Sequence, residues 1–522
     1  MGRKRRGLPA VAVGILLIGL AACGDGGSPS EKAGELDPGA SITVGYAGSS
    51  TSMDPARQTI GAEFAYNSLV YDRLTKISPD GRKVEPMLAT SWSFADSGTV
   101  LTMDLRSDVT FHDGTPFDAE AVKVNIERAK TLDGSSSAFA LSVVKSVKAV
   151  DADTVELTTT ASAAALPATL ATGAGMMISP KALAERSDDL GLNPGDAGSG
   201  PYKVTQFKPG DRTVFERAVG YWDKGAGLAK NITLKFIADT AARLNGVRSG
   251  QLDLAQVSGL NVADARKLVE QGQIEGREVQ TRVVNGLIFN TEKAPLNNSK
   301  IRQAINYAID RDTITTNLFS GAYVPIRQPD ENGFWAHFGD IEKMYPHDPA
   351  QAKKLVEESG VDNPTFSLQF ASGTAYQPIA EAVQSQLKDA GITVNLQPVQ
   401  QAEVGPNFIS GSSAATVDSI MGGSDPDVLV NQFLLGGRNL ARTPDIRSSV
   451  EKLAREGATS GLAEKDRAKA YDQMFTLLAD QAVYAPVGAS THLWVYGKRV
   501  LGVDEMGGLW QGVPELATIG AS

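Results

Sequence analysis

Just past the midpoint of this chain the spacing of apolar residues changes from that of a strand to that of a helix. Val283, Val284, Leu287, Ile288 and Phe289 make a short β-branched and aromatic run, the pattern of a buried strand. A polar, proline-containing link follows over 290–298. From Ser299, the residues Ile301, Ala304, Ile305, Ala308 and Ile309 fall on one helical face, which predicts an amphipathic helix. Residues 283–312 are therefore read as a strand, a link and a helix just past the middle of the chain.

The same reading applies on both sides of these residues. Ile42, Val44 and Tyr46 alternate with small or polar residues and predict a strand over 41–47. Helical spacing covers 63–76, and strands are predicted around Leu101–Met103–Leu105 and over 154–160. Asp118 is placed to cap a helix carrying Val122, Ile126 and Ala129 on one face. Alanine-rich 161–187 is read as helical in pieces. The glycine- and proline-rich stretch 191–202 is the strongest break in the body. A hairpin over 203–207 and 213–216 follows, then strand 232–237, helix 239–250 and strand 252–257. Beyond residue 312, Asp348 and Pro349 open a helix that Gly360 ends. Strand 366–370, helix 375–390 and strand 392–396 make a β-α-β unit. A long helix over 464–481 leads into a strand-rich closing segment, 484–496. The alternation of strands and helices predicts an α/β fold, and no fixed-period repeat is present.

The N-terminus changes the picture from fold to compartment. Arg3, Lys4, Arg5 and Arg6 precede an apolar stretch over 8–22, too short to span a membrane comfortably and typical of a signal peptide. It ends in Leu20-Ala21-Ala22-Cys23, which resembles a bacterial lipobox, so residues 1–22 are read as a lipoprotein signal peptide and Cys23 as the lipid-attachment site. Residues 23–40 are rich in Gly, Ser, Pro, Asp and Glu and read as a flexible tether. Cys23 is the only cysteine, which excludes an intramolecular disulfide and a cysteine-based metal site. A formal charge of −10 argues against nucleic acid as a partner.

Motifs for chemistry are scarce. His112, His337, His347 and His492 lack the spacing of metal ligands, and neither a G-x-S-x-G elbow nor a P-loop is present. No cofactor, metal or catalytic residue is expected. Glycines and aromatics at predicted strand–loop junctions are instead the candidate ligand contacts: Ile60, Gly61, Ala62, Asn285, Gly286, Trp335, Met421, Gly422, Gly423, Ser424 and Asp425. Glycine lets a ligand approach the backbone, and Trp offers apolar area with one donor.

From Val70 onward, several ordered stretches carry a family likeness. They include Val70-Tyr-Asp-Arg-Leu74, Glu85-Pro-Met-Leu-Ala-Thr-Ser-Trp92, Thr110-Phe-His-Asp-Gly-Thr-Pro-Phe-Asp-Ala119 and Gly198-Ser-Gly-Pro-Tyr202. Gly220-Tyr-Trp222, Ser249-Gly-Gln-Leu-Asp253, Ile301–Arg311, His347–Leu355 and Asp425-Pro-Asp427 complete the set. In combination they resemble the extracytoplasmic solute-binding proteins of dipeptide, oligopeptide and nickel ABC importers, the family 5 type.

The resemblance implies a two-lobed periplasmic-binding-protein-like fold with an α+β subdomain inserted in the first lobe. On that pattern 41–70, 190–284 and 486–522 form lobe I, 71–189 the insertion and 285–485 lobe II. It implies a monomer that encloses a small solute, a peptide above all, by hinge closure and passes it to ABC permease subunits with their ATPases. The expected location is extracytoplasmic, with the membrane reached through the lipid anchor alone. One departure matters. Peptide-binding members typically carry a carboxylate and a Trp where this chain has Gly422 and Ser419, which removes the expected anchor for a peptide's α-ammonium. A secreted lipoprotein hydrolase and a peptide-signal receptor without a transport role are the alternatives.

Overall fold

The computed structural model describes residues 34–58, 61–328, 334–436, 439–459 and 464–522. The signal segment, Cys23 and Ile60 lie outside the described residues. Two long strands organise the rest. Glu275–Phe289 and Tyr484–Tyr496 run antiparallel to each other along most of their length. Their register shifts twice, between Gln280 and Val284 and between Asn285 and Gly286. Such irregularities bend and twist a ladder locally, so the pair can pass from one lobe into the other.

Among the described residues the sheet that contains them has eleven strands, one of which, Tyr323–Pro325, pairs with Tyr484–Tyr496 off the main order. On one side of the pair stand Ala415–Met421, Thr365–Ala371 and Thr393–Val399. On the other stand Leu254–Ser258, Ser41–Tyr46, Asn231–Phe236, Arg212–Arg217 and Tyr202–Lys208. The lobe II half of Glu275–Phe289 pairs residues 283–289 with 421–415, while its lobe I half pairs 275–280 with 496–491. Lobe I closes over a core that includes Val44, Tyr66, Phe215, Trp494 and Leu516, gathered from both ends of the chain. Lobe II holds Phe408, Leu429, Tyr471 and Phe475 in one cluster. A larger core, with Ile301, Ile305, Leu368 and Val383, continues along the sheet to Leu244 and Val257.

The inserted subdomain has its own four-stranded antiparallel sheet, in the order Ala89–Ala95, Val100–Leu105, Thr154–Thr159, Val144–Ala149. Helix Ala119–Thr131 covers it with Val122 and Ile126, and Asp118 caps the helix by accepting from the Ala121 amide at 2.9 Å.

Most predicted elements are present within a few residues. Helix Ser299–Ala308 starts at the expected place, with Asn298 accepting from the Lys300 amide, and stops one residue before Ile309. Thr365–Ala371, Tyr376–Asp389 and Thr393–Val399 form the parallel β-α-β unit. One expected element is longer than read and another fails. The strand at 283–289 extends back to Glu275, through residues whose polar composition hides it. The helix over 63–76 shrinks to Phe64–Asn67. Beyond it the backbone is recruited by other segments: the amides of Gly200 and Tyr202 donate to Val70 and Leu69 at 2.8 and 2.9 Å, and Met177 donates to Asp72 at 2.9 Å. Glycine is required there, since a Cβ on Gly198 would lie 2.0 Å from the Val70 oxygen.

Candidate functional site

Between the lobes and the insertion lies a cavity of about 260 Å³. Lobe I brings Gly61 and Phe64, from the turn that opens the short helix, together with Trp510 and Glu515, and the insertion brings Arg73. The insertion adds a rim that includes Ser136 and Thr172, and lobe II supplies Met421, Gly422, Val428 and Gln432. Insertion and lobe II also meet directly, where the Ala164 amide donates to the Ala458 oxygen at 3.1 Å.

Each wall has a local reason for its shape. Trp510 sits on a single 3-10 turn, Leu509–Gln511, flanked by Gly508 and Gly512, both at φ 73°. A side chain at either place would be strained, and a Cβ on Gly508 would reach 2.2 Å from the Val513 oxygen. Met421 ends a strand, and the Gly422 amide continues the ladder by donating to Arg282 at 3.0 Å. Arg73 is buried; its Nη2 donates to Glu515 Oε2 at 2.6 Å, its Nη1 to the Ala171 oxygen at 3.3 Å, and its guanidinium lies 4.9 Å from the Phe64 ring centre.

Arg282 ties the walls together. It stands on the crossing strand, is 1% exposed, and donates from Nη1 to Gly81 of the insertion at 2.9 Å and to Gly423 of lobe II at 3.0 Å. Its guanidinium lies 4.4 Å from the Phe334 ring centre and 5.4 Å from that of Trp510. One cation thus touches both lobes and the insertion.

Of the residues singled out in the sequence, the structure brings Gly61, Met421 and Gly422 to the cavity. Ala62 packs instead against Gly48. Asn285 and Gly286 are built into the ladder; a Cβ on Gly286 would come within 2.3 Å of the Ala485 oxygen, so this glycine lets the crossing strands approach. Gly423 contributes its carbonyl to Arg282, and Ser424 is buried behind it. Trp335 packs edge-on to Tyr471, with the Arg467 guanidinium 5.2 Å from its ring centre. Asp425 caps helix Pro426–Leu429 and is gripped by Arg467 at 2.7 and 2.9 Å. Its neighbour Asp427 accepts from the Tyr471 hydroxyl at 2.8 Å, and burial, then the charge of Asp425, pushes its carboxyl up to about 7.

Arg73, Arg282, Trp510 and Glu515 were missed in the sequence. Arg282 left one signal: a basic residue next to an apolar strand run, where burial is costly unless the charge is put to use. Arg73 and Glu515 lie too far apart in sequence for any local pattern to join them.

Residues 83–439 match the family described as bacterial extracellular solute-binding proteins, family 5 Middle. Among curated relatives, the heme-binding protein A of Haemophilus influenzae is 28% identical over 528 residues, covering 92% of this chain and 94% of the relative. The glutathione-binding protein GsiB of Pectobacterium atrosepticum is 30% identical over 361 residues, 66% of each chain. Among solved structures, the periplasmic binding protein DppA of Helicobacter pylori in complex with the peptide STSA superposes with a TM-score of 0.78 at 21% identity, over 92% of this chain and 98% of that one.

Proposed function

This chain belongs to family 5 of the bacterial extracellular solute-binding proteins, and on that premise we propose that it is the lipid-anchored receptor of an ABC importer, capturing a peptide or another small organic solute by hinge closure. The observation that carries the reading is the interlobe cavity, walled by lobe I, the insertion and lobe II, beside two strands that run through both lobes. A solute filling it would touch all three parts at once, so binding and closure are coupled: contacts to the far wall exist only in the closed form. The named ligands of the relatives, heme and glutathione, support a small solute without choosing among them. A cavity of about 260 Å³, just under the usual ~300–1,000 Å³ range, also favours a short solute over a long peptide.

Membrane attachment would run through Cys23, with the tether holding the body off the lipid surface. Among the described residues no helix is long and apolar enough to cross a membrane. The permease and its ATPases would be separate chains. The test is calorimetry on solutes picked by a thermal-shift screen. One-to-one binding with the solute recovered unchanged is expected, and conversion of the solute to product would overturn the receptor reading.

A further inference from the structure

The ionisable side chains around the cavity are few and paired. Among the described residues that line it, Arg73 and Glu515 are the ionisable ones, and they neutralise each other through the 2.6 Å contact. Arg73 is 3% exposed and Glu515 20%, so the pair sits in the wall as a dipole, not as a free charge. Among the described residues, the facing lobe II wall, with Met421, Gly422, Val428 and Gln432, has no ionisable side chain.

The carboxylates nearest that wall in sequence are already engaged: Asp418 is buried in the strand and accepts from the Ser419 amide at 2.8 Å. Asp425 takes both Arg467 nitrogens, and Asp427 accepts from Tyr471. An ammonium moved from water into such a cleft loses its hydration and meets only a carboxylate already paired with Arg73, a cost of several kcal/mol. Amide groups fare better, because Gln432 and Gln511 offer both donors and acceptors while Met421, Val428 and Trp510 receive apolar parts.

Resting on the cleft as the solute site, we infer that it selects uncharged solutes: molecules with amide or hydroxyl groups on an apolar frame and no free ammonium group. Gly422 is the specificity-determining position on the lobe II side, where a carboxylate would add the missing charge.

The test uses the protein from residue 24 onward and random-sequence tripeptide mixtures of uncharged side chains in two forms. One form has both ends capped, by N-acetyl and C-amide; the other has a free amine and a C-amide. A panel of uncharged disaccharides is run beside them, and binding is read by thermal shift and calorimetry. Binding of the capped mixture or of a disaccharide at least tenfold tighter than the free-amine mixture is expected. Gly422→Asp should then erase that margin in favour of the free amine. Equal or tighter binding of the free-amine mixture to the unaltered protein overturns the inference and leaves solute capture standing. An unchanged margin in a folded Gly422→Asp variant overturns the role of Gly422. Silence of every probe in both forms counts against solute capture in this cleft itself.

Discussion

Arg467 and Asp425 face each other fork to fork, with nitrogen–oxygen distances of 2.7 and 2.9 Å, and both side chains are less than one-tenth exposed. Arg467 also donates from Nε to the Gly457 oxygen, and its guanidinium lies near Trp335. The pair bolts the Asp-Pro-Asp turn to helix Glu464–Asp480 behind the cleft wall. Asp425 therefore holds the turn behind the wall, with both carboxylate oxygens engaged by Arg467.

Cutting one partner of a buried pair strands the other. Arg467→Ala should lower stability by about 3–5 kcal/mol, read by urea denaturation. A loss below 1 kcal/mol would show that the pair is dispensable.

Arg282 should act on closure more than on folding. Arg282→Met keeps much of the volume between Phe334 and Trp510 but removes the donors to Gly81 and Gly423. Because each charged hydrogen bond contributes about 1.5–3 kcal/mol, solute affinity should fall at least tenfold, with faster release. Unchanged affinity in calorimetry would remove Arg282 from the coupling.

Asp72 gives a pH signature. It is fully buried and accepts from Tyr221 at 2.7 Å, Trp222 at 3.0 Å and Ser199 at 3.1 Å. Burial nonetheless outweighs these bonds and pushes its carboxyl from 3.8 up to about 6. An acid that holds its proton more tightly when folded contributes stability below its unfolded value of 3.8, and that contribution is lost as pH rises through about 6. Asp72→Asn stays neutral throughout. Measured by urea denaturation, the variant should gain on the wild type by up to about 3 kcal/mol between pH 4 and 7, whereas parallel pH curves would refute the assignment.

Cys23→Ser tests the anchor. If Cys23 carries lipid, the variant should move from the membrane fraction to the soluble fraction on cell fractionation. Retention equal to wild type would rule the anchor out.

What the sequence disclosed, and what it hid, follows from the range of the interactions. Helix starts are local events: Asn298, Asp348 and Asp118 each accept from an amide two or three residues on, so their side chains announce the element. The polar half of Glu275–Phe289 gave no alternating signal, although its ladder to residues 491–496 is continuous. The loss of helix after Asn67 depends on backbone donors from Met177, Gly200 and Tyr202, distant contacts that outweigh local periodicity. The cleft was legible only in part for the same reason. Glycines at strand ends pointed to Gly61 and Gly422, but Asp425 looks available until Arg467, from a distant helix, is seen to hold it. Likewise, 442 residues separate Arg73 from Glu515, and only the fold joins them.

Capture of a solute by closure of the two lobes is tested most directly by an inter-lobe distance. The chain from residue 24 onward contains no cysteine, so spin labels can be placed through Asp133→Cys on the insertion and Lys452→Cys on lobe II. Double electron–electron resonance should show a shorter, narrower distance distribution with a saturating solute from the thermal-shift screen than without it, and Arg282→Met should weaken that change. An identical distribution with and without bound solute would contradict the account.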